Sequence, residues 1–164
     1  MSIEKINTIM AKLNMLHQSL IKLADHKTEL ITTGDMDGIK QMLNDEQSHI
    51  SAISQLEGVR QQLVDAYFKA HNVPTTSPTI EQLIAIVPTE QERQQLRDTS
   101  QQLLQSVNHL KRCNDLNQKL LFESLKVVNM TLDMMRPQQE NFNYGETQGA
   151  RQVASTMGRF NSKA

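Results

Sequence analysis

The feature that most constrains this chain is a stretch of about 46 residues, from Glu90 to Met135, that contains neither glycine nor proline. Its apolar residues recur at three- and four-residue steps, which is the spacing of an α-helix. Thr89 with Glu92 forms a capping pattern at its start, and Pro137 follows its end. A helix of this length spans roughly 70 Å. Because a single helix is marginal in water, it must pack against other helices.

Three earlier segments supply the partner helices. Apolar spacing and turn residues predict helices at about 2–32, 36–70 and 79–86, ahead of the last helix at about 90–135. Gly34 favours the backbone conformation that ends a helix, and the turn that follows is short enough to send the second helix back along the first. The predicted fold is all-α: an elongated antiparallel helical bundle of three long helices plus a short helix, with a flexible C-terminal tail.

The composition changes after Pro137. We predict that residues 1–136 form the bundle and that residues 137–164 form the flexible tail, because the tail carries three glycines and no sustained apolar period. The tail nevertheless holds half of the aromatic residues of the chain. They are Phe142, Tyr144 and Phe160.

The last helix has two apolar faces. The first face runs its whole length and is predicted to be the core stripe. It comprises Leu96, Leu103, Val107, Leu110, Asn114, Leu121, Leu125, Val128, Leu132 and Met135. The second face lies more than about 100° away around the helix and exists only near the C-terminal end. It comprises Leu116, Leu120, Val127, Met130 and Met134.

We expect the second face to be covered, because a row of exposed Leu, Val and Met side chains in water marks an interaction site or favours aggregation. One explanation is cover by the short helix at 79–86 or by the end of the first helix. A second is a docking surface for a partner helix, where methionines provide adaptable contacts. A third is a self-dimer. Asn114 and Asn117, on or beside the first face, are predicted to set the register of the helices.

The net charge, the hydropathy, the cysteine count and the motifs of the sequence exclude several classes of function. The net charge is −1, which gives no electrostatic reason to expect nucleic acid, and no segment is apolar enough to insert into a membrane. The single cysteine, Cys113, fits a reduced cytosolic protein. Glu46 and His49 have the spacing used in di-iron bundles, but the pattern occurs once rather than twice. We therefore predict no catalytic residue, no metal and no cofactor.

The order of these features resembles the FlgN family of flagellar type III export chaperones. The resemblance rests on the turn GDMDGIKQML, on the pattern Asn-x-x-Asn-x-x-Leu-Leu in the last helix and on a tyrosine–glycine pair in the tail, followed by Gly149. The residues of the pattern in the last helix are Asn114, Asn117, Leu120 and Leu121, and those of the pair are Tyr144 and Gly145.

The resemblance implies a cytoplasmic chaperone that binds hook-associated (hook-filament junction) proteins, prevents their premature self-assembly and delivers them to the export gate. It implies contact with the C-terminal segments of these clients and with the cytosolic domain of the gate. The second face is the predicted client site, and Phe142, Tyr144 and Gly145 are predicted docking residues of the tail. The alternatives are a structural coiled-coil adaptor subunit with no export role and, more distantly, a metal-dependent bundle enzyme.

Overall fold

The computed structural model describes residues 3–136. Within that range the chain forms four helices and no strand: α1 (Ile3–Thr33), α2 (Met36–Ala70), α3 (Ile80–Ile86) and α4 (Glu90–Met135). The predicted all-α bundle of three long helices and one short helix is confirmed. No described helix is long and apolar enough to cross a membrane. The predicted tail lies outside the described residues.

A tight turn reverses the chain between α1 and α2. Gly34 has φ +72°, a left-handed conformation that suits glycine, and the Asp35 carboxylate accepts the backbone N–H of Gly38 at 2.9 Å. A Cβ on Gly38 would lie 2.6 Å from Asp35 Oδ2 and 2.8 Å from Leu30 Cδ2, so a larger residue would force the capping side chain of Asp35 or the Leu30 side chain to shift. Asp35 thus caps α2, as the sequence predicts, and the turn directs α2 back along α1.

Two cross-helix contacts show that α2 runs antiparallel to α1. Ser19 Oγ lies 2.8 Å from His49 Nε2, and Lys27 Nζ donates to Glu46 Oε2 at 2.8 Å. As the residue number rises on α1 it falls on α2. Glu46 and His49 therefore pair with side chains of α1 and do not converge on one possible metal position.

The bundle has its larger core at the end where α1 begins. Here α3 closes the space between α2 and α4, and its own start is fixed by a reciprocal capping box between Thr79 and Gln82. Large apolar side chains from all four helices and from the residue after α3 meet in this core. They are Ile3, Ile6, Met10, Val64, Tyr67, Phe68, Leu83, Val87 and Leu96.

A smaller core lies at the opposite end, near the α1–α2 turn. It is built mainly from α1 and α2, with two α4 residues, Leu120 and Leu121, packed against its edge. Its buried members are Leu30, Ile31, Ile39 and Met42. Leu120 and Leu121 are the last α4 residues that pack against either core, and every residue from Phe122 to Arg136 is exposed.

Polar side chains connect α1 and α4. Ser106 Oγ donates to Asn14 Oδ1 at 2.6 Å. Asn117, which is 2% exposed, donates from Nδ2 to the Ala24 carbonyl at 2.8 Å and accepts from Thr28 Oγ1 at 2.6 Å. The Asn117 amide meets these partners at a single position along α1. Any sliding of the two helices would leave the buried amide without hydrogen bonds, which costs free energy. This geometry supports the predicted register role for Asn117, whereas Asn114 is exposed and makes no such contact with α1.

Cys113 in the same α1–α4 contact should react with iodoacetamide more slowly than an unstructured cysteine at the same pH. Its Sγ lies 3.8 Å from Asp25 Oδ1. Burial, and then the Asp25 carboxylate, raise the pKa of the thiol, so less of the reactive thiolate is present. Denaturation should restore the ordinary rate. Equal rates in the folded and the denatured chain would contradict this placement.

Candidate functional site

The candidate site arises because α4 is longer than the surface against which it packs. The pairs Asn14–Ser106, Asp25–Cys113 and Thr28–Asn117 show that α1 and α4 run in the same direction. In this register the end of α1 at Thr33 lies level with the region just after Leu121. The rest of α4 continues alone past the α1–α2 turn. We call residues 122–135 the overhang.

The overhang is about 20 Å of helix in which every residue is exposed. All of its side chains are exposed, and the apolar ones cover more than half of its circumference. Its large apolar residues are Phe122, Leu125, Val127, Val128, Met130, Leu132, Met134 and Met135. A helix that is apolar on most sides is normally buried, so this surface fits a contact made with another molecule.

The predicted client site, the second face, is mostly open. Val127 is 61% exposed and Met134 is 83% exposed, and Leu116 and Met130 are also exposed. Leu120 differs, because it is half-buried against the small core at the end of α1. The sequence suggested that the short helix or the end of the first helix covers this face. In the structure α3 lies at the other end of the bundle, and α1 reaches no further along α4 than Leu120 and Leu121. Within the described residues the second face is therefore uncovered beyond Leu120.

The prediction that the whole first face is core is wrong. Leu96 is fully buried and Leu103 is packed beside the larger core, but the later part of the face is exposed. The exposed members are Val107, Asn114, Leu125, Val128, Leu132 and Met135. The physical reason at the last four of these positions is that α1 and α2 end before they can cover the overhang. The spacing of apolar residues shows which side of a helix is apolar, but it does not show how far the partner helices extend.

The side of α4 that faces α1 contains Ser106, which the sequence interpretation did not place in the core, together with Cys113. Ser106 is buried, and Cys113 is half-buried there. Ser106 was missed because the predicted faces consist mainly of large apolar residues. Phe122 was missed as well, because it falls on neither predicted face, although it is the most exposed phenylalanine among the described residues. The signal that could have found it is an aromatic side chain on the side of the helix that also carries the polar residues Lys126, Asn129 and Asp133.

An open groove lies between α2 and α4. Both helices pack against α1, but within the described residues they do not pack against each other along their lengths. The result is a cleft of about 480 Å³ above α3. Its floor includes Leu20 and the Lys27–Glu46 ion pair, and Ile50 stands on the α2 side. The α4 side is formed by Leu110, Asn114, Asn117, Gln118 and Leu121, with Asp115 at the edge.

The described residues provide no group of three or more His, Cys, Asp or Glu side chains that could hold a metal ion. Glu46 is paired with Lys27, and His49 is paired with Ser19. The predicted docking residues Phe142, Tyr144 and Gly145 lie outside the described residues. What the described residues offer at this end of the molecule is the exposed apolar surface of the overhang and the groove beside α4.

A family model and a bacterial protein match the chain over most or all of its length. The family model for FlgN, described as FlgN protein, matches residues 1–152. A protein of Bacillus subtilis (strain 168) with the name Uncharacterized protein YvyG is 30% identical over 165 residues, and the match covers 100% of both chains. No solved structure matches. The family match includes the bundle, the overhang and the first part of the tail.

Proposed function

Because this chain belongs to the FlgN family of flagellar export chaperones, which is not an enzyme family, we propose that its clients are the hook-associated proteins of the flagellum. It acts in the cytoplasm, keeps these proteins from premature self-assembly and delivers them to the export gate. The client segment is the C-terminal one, which is free to fold on another protein before the flagellum assembles.

The observation that carries this proposal is the uncovered overhang. Burial of one Val, Leu or Met side chain contributes about 1.5–3 kcal/mol. The second face offers Val127, Met130 and Met134 on the overhang, with Leu116 six residues before the overhang begins. Two of these are methionines, whose flexible side chains adapt to more than one partner surface. A client helix with apolar residues at three- and four-residue steps would bury this row.

A helix that folds only on binding suits a chaperone that must release its client. Ordering such a segment costs about 2–5 kcal/mol of the gross contact energy, which keeps the affinity moderate. The polar positions of the overhang carry both signs of charge, as at Glu123, Lys126 and Asp133. Apolar contact, rather than attraction between opposite net charges, would then set the affinity, so binding should depend only weakly on salt.

The surroundings of α4 narrow the proposed client site. Leu120 is partly used by the bundle, so we assign client contact chiefly to Leu116, Val127, Met130 and Met134. Phe122 lies outside the second face and can reach a client only at the edge of the contact. We assign docking at the export gate to Phe142, Tyr144 and Gly145 of the tail.

Removal of the tail should separate client capture from export. A chain cut after Arg136 keeps the whole overhang, so it should still co-purify with hook-associated proteins, but export of these proteins should be lost. The control is the full chain with Tyr144→Ala, which should reproduce the export defect if Tyr144 is the docking residue. Loss of capture in the shortened chain would overturn the assignment of the client site to α4. Normal export by the shortened chain would overturn a role for the tail.

A further inference from the structure

The groove between α2 and α4 has apolar side chains on its floor and on both walls. Leu20 lies on the floor, Ile50 lies on the α2 wall, and Leu110 and Leu121 lie on the α4 wall. Leu43 stands two helical turns before Ile50 on the same side of α2, and these two side chains are 49% and 51% exposed. The described helices therefore leave apolar surface open on both sides of this groove, which we call the α2–α4 groove.

The α2–α4 groove has the dimensions of one short helix. The cross-helix hydrogen bonds of α1 place Ile50 level with Leu110 and Leu43 level with Asn117. The stretch from Leu110 to Leu121 is about 17 Å long. Because α2 and α4 both pack on α1 but not along each other, the space between them is that of a fourth helix in a bundle.

One stretch of the tail has the spacing of an amphipathic helix. The tail as a whole has no sustained apolar period, but residues 150–160, with the sequence ARQVASTMGRF, carry apolar side chains at steps of three and four. At 100° per residue these side chains fall within about 120° of one another. They are Ala150, Val153, Ala154, Met157 and Phe160. As a helix this stretch, which we call the tail segment, is about 16 Å long and matches the groove.

We propose that the tail segment folds as a helix in the α2–α4 groove of its own chain. It enters the groove at the Leu121 end, runs antiparallel to α4 and parallel to α2, and brings Phe160 to Leu110 and Ile50. Its apolar side then covers the open side chains of both walls, and its polar side faces the solvent.

The chain that joins α4 to the tail segment is long enough for this path. The overhang carries the chain about 20 Å beyond Leu121, and the groove lies about one helix diameter, roughly 10 Å, to the side of α4. Residues 137–149 span up to roughly 43 Å when extended, so they can return to the groove with length to spare. Phe142, Tyr144 and Gly145 belong to this connection and stay outside the groove.

The charges of the groove and of the tail segment have opposite signs. The groove lining carries Glu46 and Asp115 and one base, Lys27, which is bonded to Glu46. The tail segment carries Arg151 and Arg159 and no acid. Asp115 stands at the groove edge, where an arginine on the polar side of the segment can reach it. Because an exposed ion pair contributes little, apolar contact sets the strength of the binding, and charge favours this occupant.

Attachment to the same chain favours the tail segment over a segment of another molecule. Gly158 makes the segment a weak helix in isolation, because glycine loses much backbone entropy in a helix, so the helix needs the groove in order to form. A short connection gives the segment an effective concentration in roughly the millimolar range at its own groove. A weak helix can therefore occupy the groove when it is tethered beside it.

This inference does not depend on the proposed function. Client contact is assigned to the second face, which lies more than about 100° around α4 from the groove side. Docking at the export gate is assigned to residues that precede the tail segment. Assays of capture and export consequently test other residues than the experiments on the groove.

Disulfide formation within one chain tests whether the tail segment occupies the groove. In a Cys113→Ser background, Ile50→Cys with Asn161→Cys should form an intramolecular disulfide at least about 10-fold faster than Leu116→Cys with Asn161→Cys. Asn161 follows Phe160 on the same side of the predicted helix. Leu116 is 50% exposed, as Ile50 is, but it lies outside the groove, so this pair measures random encounters of the tethered tail. Equal rates for the two pairs would show that the segment leaves the groove open to another molecule, and a disulfide between two chains would place a second copy there. Either result would overturn the inference.

Substitutions in the tail segment test whether its apolar side makes the contact. Val153→Asp with Met157→Asp should lower the rate of the Ile50–Asn161 disulfide to that of the control pair, and amide hydrogen exchange of residues 150–160 should become at least about 10-fold faster. The matched control is Gln152→Asp with Ser155→Asp, which adds the same charge on the polar side and should change neither measurement. Unchanged rates in the first variant, or equal changes in the control, would contradict a helix seated in the groove.

Discussion

Val127→Glu together with Met130→Glu should abolish capture of hook-associated proteins while the bundle stays folded. Both side chains are more than half exposed and lie on the second face of the overhang. If a client helix covers them, the substitutions remove about 1.5–3 kcal/mol each and also bury carboxylates against apolar surface. A loss of at least about 3 kcal/mol corresponds to more than about 100-fold in the dissociation constant. Isothermal titration with a C-terminal client peptide would measure it.

The control for this prediction is the Met15→Glu, Met36→Glu variant, which has the same number of new charges on exposed positions away from α4. It should bind the client normally. Circular dichroism should show the helix content of both variants close to that of the parent chain, because neither pair lies in a core. Normal capture by the Val127, Met130 variant would refute the client site. Loss of helical structure in that variant would show instead that the second face packs within the protein.

Phe68→Ala should be the most destabilising single substitution in the bundle. Phe68 is 2% exposed and is the largest fully buried side chain, in the core shared by α1, α2, α3 and α4. Replacing a buried phenylalanine by alanine costs about 3–5 kcal/mol, a large part of the roughly 5–15 kcal/mol that a domain has in total. Thermal unfolding should shift down by about 10 °C. Denaturant unfolding would give the change in free energy.

The same substitution at Phe122 is the matched control. Phe122 lies on the overhang and is 67% exposed, so Phe122→Ala should change the free energy of unfolding by less than about 0.5 kcal/mol. Equal destabilisation by both substitutions would mean that the overhang is packed in solution. A small effect of Phe68→Ala would contradict the position of the larger core.

Local features of the sequence were sufficient to predict the helices. Capping residues act on backbone N–H groups within one turn, so Thr79 with Gln82 predicts a helix start without knowledge of the tertiary structure. The Thr89 hydroxyl likewise accepts the backbone N–H of Glu92. The same hydroxyl donates to the Glu92 carboxylate, which takes the place of the bond to the backbone N–H of Thr89 in a full capping box. The Gly34–Asp35 turn predicts the reversal of α2 for the same local reason. The all-α bundle followed from these signals.

The candidate site was predicted only in part. Apolar periodicity identified the second face, including Val127 and Met134, because side chains on one helix have fixed angular positions. It assigned Leu125 and Leu132 to the core, although these residues are exposed. Their exposure depends on the register between α1 and α4, which is set by contacts between residues about 90 positions apart, such as Thr28 with Asn117. No local pattern contains that information.

The sequence by itself therefore determined where the helices begin and end, which of their sides are apolar and that α2 turns back along α1, because each of these depends on residues within a few positions of one another. Only the tertiary structure decided which apolar sides are covered. The end of α1 near Leu121 of α4 leaves about 20 Å of apolar helix without cover, and the separation of α2 from α4 leaves a groove beside it. Burial is a property of neighbours that are distant in sequence, and those neighbours end before α4 does.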